Sequence, residues 1–168
     1  DAIRNLKAAG IVTLAIKDGK VIWHDAAGMK NIAKGQSMPK DALFWIASMT
    51  KSISATAIMT LVDEGKLSLD EPASKWMPEL GKVKLTDGNP PARPITLRDL
   101  MSHTAGITFP KRSPNDGAIS LKAYAASLVK TPLSFEPGSA YEYGFGITVA
   151  GRIAEIVSGM PFDKLVDD

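Results

Sequence analysis

The feature that most constrains this chain is Ser48-Met49-Thr50-Lys51 and the run behind it. From Ser48 to Glu64 the sequence reads SMTKSISATAIMTLVDE, with Ile53, Ala57, Ile58, Leu61 and Val62 at helical spacing before Gly65 stops the run. This spacing predicts a helix buried nearly all round. A lysine in the first turn of such a helix is opposed by the helix dipole, so a charge there asks for a purpose. Three residues apart on a helix, the Ser48 hydroxyl and the Lys51 ammonium share one face. A serine at a helix start also offers its backbone N–H to a developing oxyanion. Lysine acts as a base only when neutral, which burial favours. The plain alternative is an N-cap serine followed by a lysine, because S-x-x-K by itself is a weak pattern.

The rest of the chain supplies few strands. Residues 11–16 (IVTLAI) and 21–24 (VIWH) flank the turn-forming Lys17-Asp18-Gly19-Lys20 and predict a β-hairpin. Residues 1–10 read as the end of a helix closed by Gly10, and the segment after the hairpin is turn-rich through Gly35 and Pro39. Lys66–Leu80 reads as a capped turn and a short helix, and Gly81–Pro94 as a surface excursion. Thr96-Leu97-Arg98-Asp99 fits an N-cap with an acidic first turn, predicting a short helix over 96–103. A second surface loop is expected at 110–117, followed by helices over 119–130 and 147–158, the latter ended by Gly159.

Composition removes several function classes. The 20 basic and 18 acidic residues leave a formal charge of +2, and the lysines are scattered, so no phosphate-tracking surface and no nucleic-acid partner is expected. Without cysteine there is no disulfide scaffold, thiolate nucleophile or Cys-ligated metal. His24 and His103 lie in no metal-ligand spacing, and no metal or cofactor is expected. No apolar run has the length of a membrane span. The first residue is Asp1 rather than Met, as after loss of a leader or in a trimmed chain, which leans toward a periplasmic or secreted setting.

Three blocks carry a resemblance. "DALFWIASMTKSISATAIMTLVDEGKLSLDEP" resembles the nucleophile helix and flanks of the serine β-lactamase and penicillin-binding-protein superfamily. "ITLRDLMSHTAGI" resembles the segment that follows it there, and "FEPGSAYEYGFGITVAGRIAEIVSGMPF" the region of the second motif. The resemblance implies an α+β fold of the β-lactamase/transpeptidase kind, with residues 1–168 as the N-terminal portion of one domain: the hairpin of its sheet plus the helical part. It implies acyl transfer by a serine hydrolase, with Ser48 as nucleophile, Lys51 as base and Tyr143 as proton relay. Tyr141 is the rival for the last role, although two tyrosines after Pro137-Gly138 also read as a turn-flanking apolar pair.

The chain departs from the lactamase and peptidase pattern at Phe145, where those relatives carry an asparagine whose amide binds substrate. Its Tyr-Gly-Phe-Gly run is instead similar to the esterases of the superfamily, so a small-molecule ester is the expected substrate ahead of a β-lactam. Phe145, Trp45 and Phe109 are candidates for an acyl pocket, though core packing is the commoner place for such aromatics. His103 is implied to be structural, tying a turn, rather than a general base, and His24 reads as a half-exposed strand residue. No Lys/His-x-Gly third motif follows Tyr143, so the remaining sheet strands and the second oxyanion donor are expected from a C-terminal half, in cis or as a separate chain. Within enzymes the rivals are a β-lactamase and a D-alanyl-D-alanine carboxypeptidase. From another class the rival is a non-catalytic penicillin-recognising scaffold.

Overall fold

A two-residue turn organises the first part of the computed structural model, which describes residues 3, 5, 8–108 and 120–167. Asp18 and Gly19 both take positive φ, 50° and 72°, as in the primed turns whose twist suits a hairpin. They join β1 (Gly10–Lys17) to β2 (Lys20–Asn31), antiparallel, with Lys17 opposite Lys20 and a register shift at Ala15/Ile16. β3 (Gln36–Ser37) pairs with β2, giving the order β1-β2-β3. Two expectations are corrected here. Gly10 opens β1 instead of closing a helix, and β2 runs seven residues past His24, because Ala26 and Ala27 pair with Val12 and Ile11 although neither favours a strand by itself. Gly28 (φ 82°) is required within β2, since a Cβ there would collide with the Ala9 carbonyl oxygen. These elements lie in a compact unit, Asp1–Ile46.

The second unit, Ala47–Asp168, is helical. A 3₁₀ turn at Ala47–Met49 leads into α1 (Thr50–Asp63), and α2 (Leu97–Met101), α3 (Leu121–Leu128), α4 (Gly146–Ser158) and α5 (Phe162–Asp167) follow. Ile58 of α1, Leu97 and Leu100 of α2, Leu128 of α3 and Val149 and Ile153 of α4 are buried together in one core. Each such side chain contributes on the order of 1.5–3 kcal/mol by leaving water. The burial of α1 nearly all round, expected from its spacing, is corrected: Ala57, Ile58 and Leu61 are buried while Ile53 stays 48% exposed. Its apolar character exceeds what α4 and α5, packed on one side, can cover.

Between the helices the chain is held by short turns. Lys66–Leu80 forms 3₁₀ turns at Ala73–Lys75 and Pro78–Lys82 in place of the expected helix, with Ala73, Met77 and Leu80 buried. The 81–94 excursion is mostly exposed but pinned by buried Val83. α2 is shorter than expected and opens with a capping box, Thr96 accepting from the Asp99 backbone N–H and Asp99 accepting from that of Thr96. Gly159 ends α4 in the left-handed conformation. α5 was not expected from the sequence, and the loop expected at 110–117 lies outside the described residues.

Candidate active site

Ser48 sits in the 3₁₀ turn that feeds α1, with its side chain exposed. An N-cap serine would accept from a backbone N–H, but among the described residues Ser48 Oγ caps none. It accepts instead from Lys51 Nζ at 3.3 Å and from the Tyr143 hydroxyl at 2.6 Å. Tyr143 comes from the loop before α4, 95 residues away in sequence. Lys51 Nζ also lies 4.8 Å from the Tyr143 ring centroid. The hydrogen bond from Lys51, and then that with Ser48, hold the Tyr143 phenol below its ordinary value of 10.0. The Lys51 nitrogen and an acidified phenol thus converge on the Ser48 oxygen, within reach to take its proton once one of them is deprotonated.

The backbone just before Ser48 is strained. Ala47 takes φ 46°, in the left-handed region that costs a residue with a Cβ about 1–2 kcal/mol. This was not legible from the sequence, because alanine gives no signal for positive φ.

The Tyr143 loop is fixed by His103, which itself takes φ 62°. The Gly144 N–H donates to His103 Nδ1 at 3.2 Å, and the Glu142 N–H donates to the His103 carbonyl at 3.0 Å. The imidazole lies 4.6 Å from the Tyr143 ring, tilted by 41°, and meets Tyr141 edge-on at 5.9 Å. Burial, and then the Lys51 charge, push the His103 imidazole below its usual 6.5. Behind the turn, Asp99 is buried and accepts from both Arg93 Nη atoms at 2.7 and 2.8 Å and from the Thr104 hydroxyl at 3.2 Å. Burial alone would raise the Asp99 carboxyl. The bonds from Arg93 and Thr96 outweigh it and hold the group below 3.8.

Both glycines beside Phe145 mark close approaches. A Cβ on Gly144 would overlap the Ile107 carbonyl oxygen, and one on Gly146 the Leu100 carbonyl oxygen. Phe145 between them packs edge-on to Tyr124 at 5.6 Å and lines a cavity of about 290 Å³ with Lys51, Leu121 and Phe162. Trp45 belongs to the first unit and is 94% exposed, Tyr141 is 67% exposed, and Phe109 lies outside the described residues. The structure therefore gathers Ser48, Lys51 and Tyr143 at one point and places Phe145 on an apolar wall near Lys51. Among the described residues no group of His, Asp or Glu side chains is arranged to hold a metal ion, and no helix is long and apolar enough to cross a membrane.

Comparison with known proteins adds three findings. A family profile described as Beta-lactamase matches residues 1–168. Esterase EstB of Burkholderia gladioli is 32% identical over 99% of this chain and 45% of its own, and a lovastatin esterase of Penicillium rubens is 32% identical over 94% of this chain and 45% of its own. The solved structure of EstCE1, a hydrolase with promiscuous acyltransferase activity, superposes with a TM-score of 0.89 at 29% identity, covering 99% of this chain and 46% of that one. The chain spans less than half the length of these relatives.

Proposed function

The chain belongs to the β-lactamase family, and from that premise we propose that it carries the nucleophile-bearing part of a serine hydrolase that cleaves small-molecule esters through an acyl-enzyme. The observation that carries the reading is the convergence of Tyr143 Oη and Lys51 Nζ on Ser48 Oγ, at 2.6 and 3.3 Å. Ser48 Oγ attacks the ester carbonyl carbon while its proton passes to the Lys51–Tyr143 pair. The tetrahedral intermediate collapses as the pair returns that proton to the departing alkoxide. Water then attacks the acyl carbon by the same relay, and Ser48 is regenerated. Lys51 in its unprotonated form is the base and Tyr143 the relay, and the acidified phenol lets Tyr143 pass the proton in either direction.

Phe145 favours esters over β-lactams, because its ring cannot make the amide hydrogen bond that a lactam or peptide side chain would need. The relatives named esterases are consistent with that preference. Residues outside this chain, in the same polypeptide or another, complete one domain with it and supply the rest of the sheet and the second oxyanion donor.

Intact-mass spectrometry after exposure of the full-length protein to a fluorophosphonate, and separately to a penicillin, tests the proposal. A single fluorophosphonate adduct on Ser48, absent from Ser48→Ala, is the expected result. An adduct that persists in Ser48→Ala removes Ser48 from the role. Faster turnover of a chromogenic cephalosporin than of a short-chain p-nitrophenyl ester would overturn the ester preference.

A further inference from the structure

The loop carrying Tyr143 is built on His103, which meets it through Tyr141, Glu142, Tyr143 and Gly144. A backbone N–H can only donate, so the Gly144 N–H at 3.2 Å requires an unprotonated Nδ1, with the ring proton on Nε2. A second proton on the ring would place Nδ1–H against Gly144 N–H. The same proton would add a second positive charge beside Lys51.

We propose that His103 is a positioning residue whose neutral ring seats Tyr143 on Ser48, so that protonation of His103 unseats the phenol and sets the acid limb of the activity. The inference rests on the proposed serine-hydrolase reading. Three contacts define the seat: Gly144 N–H to Nδ1, Glu142 N–H to the His103 carbonyl, and the tilted ring contact with Tyr143. Only the first and third change with the charge on the ring, which separates a titrating seat from an inert turn.

Among the described residues, the titratable and charged groups around His103 are these. Lys51 faces it from α1, and Tyr141, Glu142 and Tyr143 face it from the loop. Behind the turn, Asp99 is held by Arg93, and Glu136 lies near that arginine. The Glu142 carboxylate is engaged by the Ser134 hydroxyl at 3.3 Å, and Asp99 is neutralised by Arg93. Burial, and then the Lys51 charge, oppose protonation, so the ring takes up its second proton at a lower pH than an ordinary histidine.

The test is the pH dependence of Ser48 labelling by a fluorophosphonate in the full-length protein and two variants. Asparagine keeps an acceptor where Nδ1 stands and tolerates the left-handed backbone, but does not titrate between pH 4 and pH 8. His103→Asn is expected to keep its plateau within about threefold of wild type and to lose the acid limb. His103→Phe keeps a ring without the acceptor and is expected to fall by roughly tenfold or more at every pH. An acid limb unchanged in His103→Asn overturns the inference, as does a full plateau in His103→Phe. Nitrogen-15 NMR of isotope-enriched protein not treated with the fluorophosphonate gives a readout free of activity: an Nε2–H tautomer at neutral pH supports the seat, and an Nδ1–H tautomer overturns it. Wild type that is unlabelled at every pH removes the hydrolase reading itself, an outcome distinct from labelling with an unaltered limb.

Discussion

The two units of this chain spend their apolar residues differently. The unit Ala47–Asp168 buries Ile58, Leu97, Leu100, Val149 and Ile153 in a core of its own, whereas the hairpin leaves Ile16, Val21 and Ile22 at 60–64% exposure. A two-stranded hairpin is marginal in water even with a favourable turn, and a large exposed apolar surface marks a place where other chain packs. The helical unit thus holds the means to order its own site, Ser48, Lys51, Tyr143 and His103 all lying within it. The hairpin instead leaves apolar side chains on its surface.

That contrast breaks if a site residue of the helical unit proves dispensable. Replacing Tyr143 by Phe removes the hydroxyl 2.6 Å from Ser48 while keeping the ring against His103, and should slow Ser48 labelling by about 10²–10⁴-fold with no change in the melting temperature. A labelling rate near wild type would take Tyr143 out of the proton path. In the core, Leu100→Ala should destabilise by about 3 kcal/mol, seen as a lower urea midpoint at constant slope. A loss under about 1 kcal/mol would mean that α2 is not packed as described.

The contrast sharpens at Asp99. Its lowered pKa means that the unfolded chain takes up a proton first as pH falls, so the stabilisation is complete above 3.8 and disappears as pH drops through the folded value. Asp99→Asn should cost about 2–3 kcal/mol at neutral pH and flatten the acid end of the stability curve, measured by urea titration from pH 7 to pH 3. A parallel downward shift with an unchanged acid slope would assign that slope to other carboxyls. The smallest effect is expected in the hairpin, where Ile16→Thr should change the stability of the 168-residue chain by less than about 0.5 kcal/mol, read from the urea midpoint. A large destabilisation would mean that the hairpin carries a core of its own.

Much of the helical unit was legible in the sequence because its signals are local. Thr96 and Asp99 write a capping box, Gly65 and Gly159 follow the ends of α1 and α4, and Asp18-Gly19 writes the hairpin turn. What escaped is set by partners distant in sequence. β2 continues through Ala26-Ala27-Gly28 because β1 pairs with it, and α5, six residues after Pro161, is too short to show a period. At the site, the Ser48–Lys51 spacing was visible and Tyr143 came through resemblance. The role of Gly144 against the Ile107 carbonyl, and of His103 as acceptor, depends on a turn 41 residues upstream that no local pattern announces.

The two glycines around Phe145 also bear on how this protein can be changed. Gly144 and Gly146 are each pressed on a carbonyl oxygen, so neither can gain a side chain without moving the backbone that carries Tyr143. Position 145 between them lines the cavity with its side chain and packs edge-on to Tyr124, with no carbonyl oxygen pressed against its Cβ position as at its neighbours. Of the three positions 144–146, only residue 145 can change its side chain without pressing on a carbonyl oxygen, which makes it the position to randomise in a library.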